Sequence, residues 1–394
     1  MRLQQNSNRI CWTNIKCFIT LSSLAAEGNR NANTNMSMRI KMKTVLFCVP
    51  LLILLGCMHS PQAIEEPGTD IQGFVDFFEE YEALCPYFAH KEIDWKEMGL
   101  AYFPLIADCE NQDQLIGVVI EMLAELEDTR ISLYKVDEFW QILEKVYPYT
   151  REYESNYDMD VLIEQYLEPN GWAGWNEGYC HGFGWCDPAL LPYAFLDTIP
   201  TADDTTGATD SLDAFIAECI ELDVPAVILD IRMNPVGALG PYGTCGHCLM
   251  GRFTDHSRPG AIYRARGGPE YHQYADLRPA VYPRGPSHYT GTVILLTGEN
   301  CRNMSENMTA NFINFPNVVL VGDTTGGSVS TLSRVEIADF WYAYVVQTTI
   351  LTNQKHWIEG AGIPPDFPVE ATESDFAAGI DPVLDFAIEL LEDY

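Results

Sequence analysis

Three short apolar runs constrain this chain most: Ala226–Ile231, Val293–Thr297 and Val318–Val321. Each has the length of a strand, and none alternates with polar residues. Such strands need cover on both faces, which is the mark of a parallel sheet. Helical patterns lie between them. Ser211–Leu222 puts Leu212, Phe215, Ile216 and Cys219 on one face, and a second helix is predicted over Asn303–Phe315. Tyr193–Ile199 reads as a further strand, 335–352 as a β-hairpin and Asp381–Leu391 as a closing helix. Strand–helix–strand repetition gives an α/β class. The Gly-, Pro-, Tyr- and Arg-rich stretch 232–291 reads mostly as loop, and long loops in compact domains are usually functional.

Upstream the period changes. From Ile71 to about Leu133 apolar residues recur at three- and four-residue steps, including Phe74, Phe77, Phe78, Tyr81, Leu115, Val119, Met122 and Leu126. Residues 134–170 are mixed, with a helix predicted over Asn156–Leu167. The expected organisation is a helical N-terminal domain over 70–170 and an α/β core over 171–394. Residues 58–69 contain Pro61, Pro67 and Gly68 and read as a tether. Met42–Cys57 has a basic start, then an apolar run shorter than the ~20 residues of a spanning helix, as an export signal has. Leu54-Leu-Gly-Cys57 looks like a bacterial lipoprotein cleavage box, in which Cys57 is lipidated. That implies an exported protein held on the cell envelope by lipid. The Asn-rich segment upstream of this signal has no apolar period, so 1–57 is set aside from fold reasoning.

Beyond residue 56 the chain has 16 basic and 55 acidic residues, a net −39. A surface so acidic repels phosphates, which excludes nucleic acid as a partner. Apolar residues still make up 47%, enough for a large core. Cysteines occur in two close pairs, Cys180/Cys186 and Cys245/Cys248. Export favours disulfides. Cys245-Gly-His247-Cys248 with Cys180-His181 could instead bind a metal, and free thiols are the third possibility.

Four segments recur in a recognisable order: Val227-Ile-Leu-Asp-Ile-Arg-Met-Asn-Pro-Val-Gly237, Val293 to Glu306, Val319-Leu-Val-Gly-Asp-Thr-Thr-Gly-Gly327 and Glu359-Gly-Ala-Gly-Ile-Pro-Pro-Asp366. Their order and spacing resemble the tail-specific (C-terminal-processing) serine peptidases with a tricorn-type core. The resemblance implies a crotonase-like α/β core after a helical leader, and hydrolysis of peptides or unfolded proteins without a cofactor. Only about 60 residues separate Arg130 from Tyr193, too few for the PDZ domain that many such proteins carry.

The resemblance also locates the chemistry, and there this chain departs from it. A serine peptidase needs a nucleophile, a base and oxyanion donors within hydrogen-bond reach. Asn303 stands at the serine position, where a core strand gives way to a helix. Asn303 and Glu306 are expected to form a capping box instead. Ser305 is the alternative nucleophile, but it lies about 200° round the helix. Arg130 stands at the histidine position in Leu126-Glu-Asp-Thr-Arg130, and a guanidinium stays protonated and cannot act as base. It could clamp a carboxylate at a peptide end. In the Ser–Lys branch the lysine would fall at Ser328, and no Lys occurs between 146 and 354. Glu359 matches the acidic residue that orients the base. Gly237 matches an oxyanion-hole glycine, with Val236 before it. The expected protein is therefore a membrane-anchored, catalytically impaired relative. The alternatives are an active serine endopeptidase using Ser305 or a relocated base, and a Cys/His metal-binding protein.

Overall fold

The apolar runs lie side by side in the computed structural model, which describes residues 69–170, 181–185, 192–196, 208–233 and 245–391. They form β4 (Pro192–Leu196), β5 (Ala226–Asp230), β10 (Thr292–Thr297) and β11 (Val318–Gly322), all parallel. Leu295 pairs with Leu229 on one side and Leu320 on the other. The short β14 (Phe367–Pro368) extends this sheet at β11, and β3 (His181–Trp185) closes the far edge antiparallel to β4. Alternate residues serve two cores. Val227, Leu229, Val293 and Leu295 share one with α5 (Ala208–Glu221), α6 (Cys245–Met250) and α7 (Met304–Phe312). Ala226, Ile228, Ile294 and Leu296 share the other with α9 (Pro382–Leu391). Two buried faces are what uninterrupted apolar strands require.

A second, antiparallel sheet is assembled from distant parts of the chain. Its order is β2 (Ile142–Val146), β1 (Ser132–Val136), β13 (Trp341–Leu351), β7 (Ile262–Arg266) and β8 (Tyr274–Leu277), with β12 (Thr331–Ala338) also paired to β13. A two-stranded ribbon joins β6 (Arg258–Pro259) to β9 (Ala280–Val281). Three helices cover one face: α1 (Thr69–Leu84), α2 (Trp95–Ala107) and α3 (Gln112–Ala124). Phe74, Phe77, Tyr81 and Trp95 bury against Leu133, Val335, Ile337 and Ala343. Local chemistry sets the helix starts. Asp94 accepts the Lys96 and Glu97 N–H groups, and Asn111 accepts that of Gln114.

Residues 70–170 are thus helical only in their first part. Helix α3 ends at Ala124, and β1 and β2 join a sheet whose other strands come from beyond residue 260. The remainder is α4 (Met159–Val161) running into a π-helical turn over Leu162–Leu167. The stretch 232–291 is also richer than a loop, because it supplies α6 and β6–β9. Arg264 and Arg266 disguise β7. They lie against Tyr274, Trp357 and Tyr271, so a charged strand is half-buried among aromatic rings. Cys248 is a buried free thiol, so it takes no part in a disulfide. The disulfide reading for Cys180, Cys186 and Cys245 falls outside the described residues. The three apolar cores seen among the described residues lie within the unit Pro67–Tyr394.

One ionic network closes the carboxyl end of the parallel sheet. Arg232, fully buried after β5, donates to Asp230 through Nε and Nη2 and to Asp381 through Nη1 and Nη2, at 2.7–3.2 Å. Its Nη1 also donates to the Asn156 carbonyl at 2.9 Å. Asp381 in turn accepts the Leu384 N–H, fixing the start of α9. Removing one member strands a buried charge. Asp381→Ala should cost about 3–5 kcal/mol in equilibrium urea unfolding, whereas the exposed Glu138→Ala should change little.

Candidate active site

The site is built where β10 hands over to α7. The backbone turns sharply at Asn303, whose φ is 60° and ψ −110°. This left-handed geometry is strained for a residue with a side chain, and it is the conformation of a strand-to-helix elbow that presents one side chain at the tip. Asn303 makes no side-chain cap bond, so the expected capping box is absent. Its N–H donates instead to the Ser328 carbonyl at 2.8 Å. Glu306 turns the other way. Fully buried, it accepts the Thr325 hydroxyl and the N–H groups of Gly327 and Ser328, the latter two at 2.7 Å. Burial pushes its carboxyl up to about 7 against the pull of these donors. The capping box fails because a turn some twenty residues along the chain offers Glu306 better donors.

Backbone packing at two glycines holds that turn. Gly327 has φ 67° and lies so close to Gly360 and Gly362 that a Cβ would meet their backbone at 2.9 Å. Gly362 is placed likewise, with the Thr325 carbonyl 2.1 Å from where its Cβ would stand. Gly360 N–H donates to Gly327 O at 2.7 Å, and Ile363 N–H to the Thr325 hydroxyl at 2.8 Å.

Glu359 and Arg130 meet on the next residues of the turn. Glu359, buried, accepts from the Val329 N–H at 3.1 Å, the Ser330 N–H at 2.8 Å and the Ser330 hydroxyl. Arg130 donates through Nε to the Ser330 carbonyl at 3.1 Å. Its terminal nitrogens make no hydrogen bond to the described residues. The Asp128 carboxylate accepts the Arg130 N–H at 2.7 Å. Burial first, and the neighbouring Glu359 second, hold the Asp128 carboxyl well above the usual carboxylate range. Thr129 and Ser328 share a hydrogen bond of 3.1 Å between their hydroxyls. A cavity of about 360 Å³ opens alongside, lined by Lys91, Thr129, Arg151, Tyr153, Gly327 and Glu359.

Segment 325–330 thus brings Asn303, Arg130 and Glu359 together. Ser305 is kept out. It has no exposed surface, and its hydroxyl donates back to the Arg302 carbonyl at 2.9 Å. Gly237 and Cys57 lie outside the described residues. Glu306, Thr129 and Ser328 belong to the site in roles their motifs did not suggest, and Ser330 belongs to it although it lies outside every motif. Among the described residues no group of three His, Cys, Asp or Glu side chains could hold a metal ion. His247 and Cys248 are buried on α6, whereas the Cys180 and Cys245 side chains lie outside the described residues.

The comparisons with known proteins agree with this frame. Residues 198–369 match the model of peptidase family S41. Over those residues the chain is similar to that tail-specific family. A solved structure from Parabacteroides merdae ATCC 43184, described as a candidate peptidase, shares 20% identity, covers 82% of this chain and 97% of its own, and superposes with a TM-score of 0.68. Mature CPAF shares 10% identity over 82% of this chain and 96% of its own, with a TM-score of 0.57. At these identities the likeness establishes the fold. No curated protein matches the chain. The S41 core makes this a peptidase-like protein.

The raised carboxyls give the S41 core a pH signature. Glu306 keeps its proton when folded at pH values where the unfolded chain, with an ordinary value of 4.5, has lost it. Its stabilising contribution is complete below about 4.5 and is lost as the pH rises through about 7. Asp128 shifts in the same direction. The thermal midpoint should therefore fall across that interval, and Glu306→Gln should flatten the fall. A midpoint that rises over the same range would contradict the assignment.

Proposed function

We propose that this protein is a lipid-anchored S41 relative that captures peptides or unfolded chains without cutting them. The support is the pairing of an intact frame with unsuitable groups. Asn303 keeps the strained elbow, but an amide has no nucleophilic oxygen to match a serine hydroxyl. Arg130 sits where the base should be and cannot accept a proton. Ser305, the alternative nucleophile, is sealed inside the protein and faces a backbone carbonyl. Glu359 is engaged by Ser330 and two N–H groups rather than orienting a base.

Binding needs only what persists. The cavity beside Glu359 is lined by backbone, aromatic and charged groups suited to an extended peptide. Arg130 is fixed at Nε, which leaves its terminal nitrogens to donate two parallel hydrogen bonds to a carboxylate. The substrate class is thus a polypeptide presenting a free C-terminus. The lipid on Cys57 would keep this activity at the cell envelope, outside the cytoplasm. No cofactor is required by any part of the reading.

The protein should resist labelling by a fluorophosphonate and leave casein intact. In fluorescence polarisation, a peptide with a free C-terminus should bind more tightly than its amidated form. Arg130→Ala should weaken the first by about tenfold, as loss of a charged hydrogen-bonded pair does, and leave the second unchanged. Covalent labelling that disappears in a serine-to-alanine variant would establish hydrolysis and overturn the proposal.

A further inference from the structure

One end of the antiparallel sheet exposes large apolar side chains that the fold does not use. Phe139 is 73% exposed, Trp140 54%, Phe340 51%, Ile142 58% and Leu143 63%. The first three belong to two adjoining hairpin turns, and Ile142 and Leu143 open β2. The Val136 N–H donates to the Phe340 carbonyl at 3.0 Å and joins the turns. The Trp140 ring lies 5.3 Å from that of Tyr342, and the Arg334 guanidinium stacks 4.6 Å from it. Asp137 stiffens the first turn by accepting the N–H groups of Phe139 and Gln141 at 2.9 and 2.8 Å.

The backbone at this tip is unusual. Trp140 has φ 63° and Phe340 φ 65°. Glycine or asparagine takes such a turn position at least cost, and a bulky ring there is strained. Both residues also leave their rings in water. Glycine would relieve strain and exposure together, so the retention of aromatics at both positions points to a binding role.

The course of the chain says what covers the tip. Near the start of α1, Gly73 packs against Ile337 and Ala338, with the Ile337 carbonyl 2.5 Å from where its Cβ would stand. Gln112 donates to the Asp339 carbonyl at 2.9 Å. Helix α1 therefore begins beside the turn that carries Phe340. Cys57 is twelve residues before Thr69, a reach of at most about 40 Å. If Cys57 is lipidated, this is the end of the domain held near the bilayer.

We infer that Phe139, Trp140 and Phe340, flanked by Ile142 and Leu143, form a tip that inserts into the bilayer interface and docks the domain against it. In placing the membrane at this end, the inference rests on the lipid-anchor reading of Cys57. Aromatic rings suit the interfacial zone. Insertion is apolar rather than electrostatic, because Lys135 and Arg334 are outnumbered by Asp137, Glu138, Glu336 and Asp339.

The test is co-sedimentation of residues 67–394 with phosphatidylcholine vesicles, compared with Phe139→Ser/Trp140→Gly/Phe340→Gly. The wild-type unit should sediment with vesicles. The triple variant should partition at least about tenfold less, while its thermal midpoint holds or rises because two strained positions are relieved. Adding anionic lipid should not strengthen binding. Wild-type protein that stays in solution, or a variant that sediments equally, would overturn the inference. So would a concentration-dependent dimer in sedimentation velocity that the same variant abolishes, since the patch would then belong to a second copy. The unit lacks Cys57, so a failure here leaves the lipid anchor untouched. Conversely, mass spectrometry finding no lipid on Cys57 would refute the anchor and leave the vesicle result standing.

Discussion

Glu306 sits one turn into α7 with no exposed surface, and its two oxygens gather Thr325, Gly327 and Ser328. Everything in the site hangs from the turn so held. Ser328 receives the Asn303 N–H, Ser330 receives Arg130, and Val329 and Ser330 donate to Glu359. A buried carboxyl costs several kcal/mol in lost hydration. Charge-assisted bonds to N–H groups, about 1.5–3 kcal/mol each, offset that cost only while every donor stays in place. Geometry and protonation of the site are therefore coupled through one side chain.

The same arrangement holds the frame largely through backbone groups. The elbow at Asn303 is fixed by the Ser328 carbonyl and by the sheet and helix it joins, not by what its side chain does. A residue with a side chain is strained at that φ, and the surrounding bonds hold it there. Arg130 likewise finds an anchor at Ser330 that holds the segment in place without acting as a base. The described part of the site is thus a scaffold held by backbone groups and buried carboxyls.

Much of this was legible in the chain. The uninterrupted runs at 226–231 and 293–297 could only be doubly covered strands, and the structure places them side by side. The hairpin over 335–352 is present as β12 and β13. What failed depended on distant partners. Asn303-x-x-Glu306 is a good local cap signal, yet nothing nearby in sequence announces the turn that captures Glu306. Ile262-Tyr-Arg-Ala-Arg266 does not read as a half-buried strand until Tyr274, Trp357 and Tyr271 are seen around its arginines. The pattern from Ile71 to Leu133 ran a helix past its end, because Leu126, Ile131 and Leu133 enter the same core from a turn and a strand.

The pairing of β1 with β13, Leu133 opposite Ala343, has a consequence for synthesis. The aromatic face of α1 cannot be covered until a strand more than two hundred residues downstream leaves the ribosome. Such remote closure makes folding slow and nearly post-translational. Until those last strands arrive, Phe74, Phe77 and Tyr81 lack part of their cover and depend on chaperones to stay soluble.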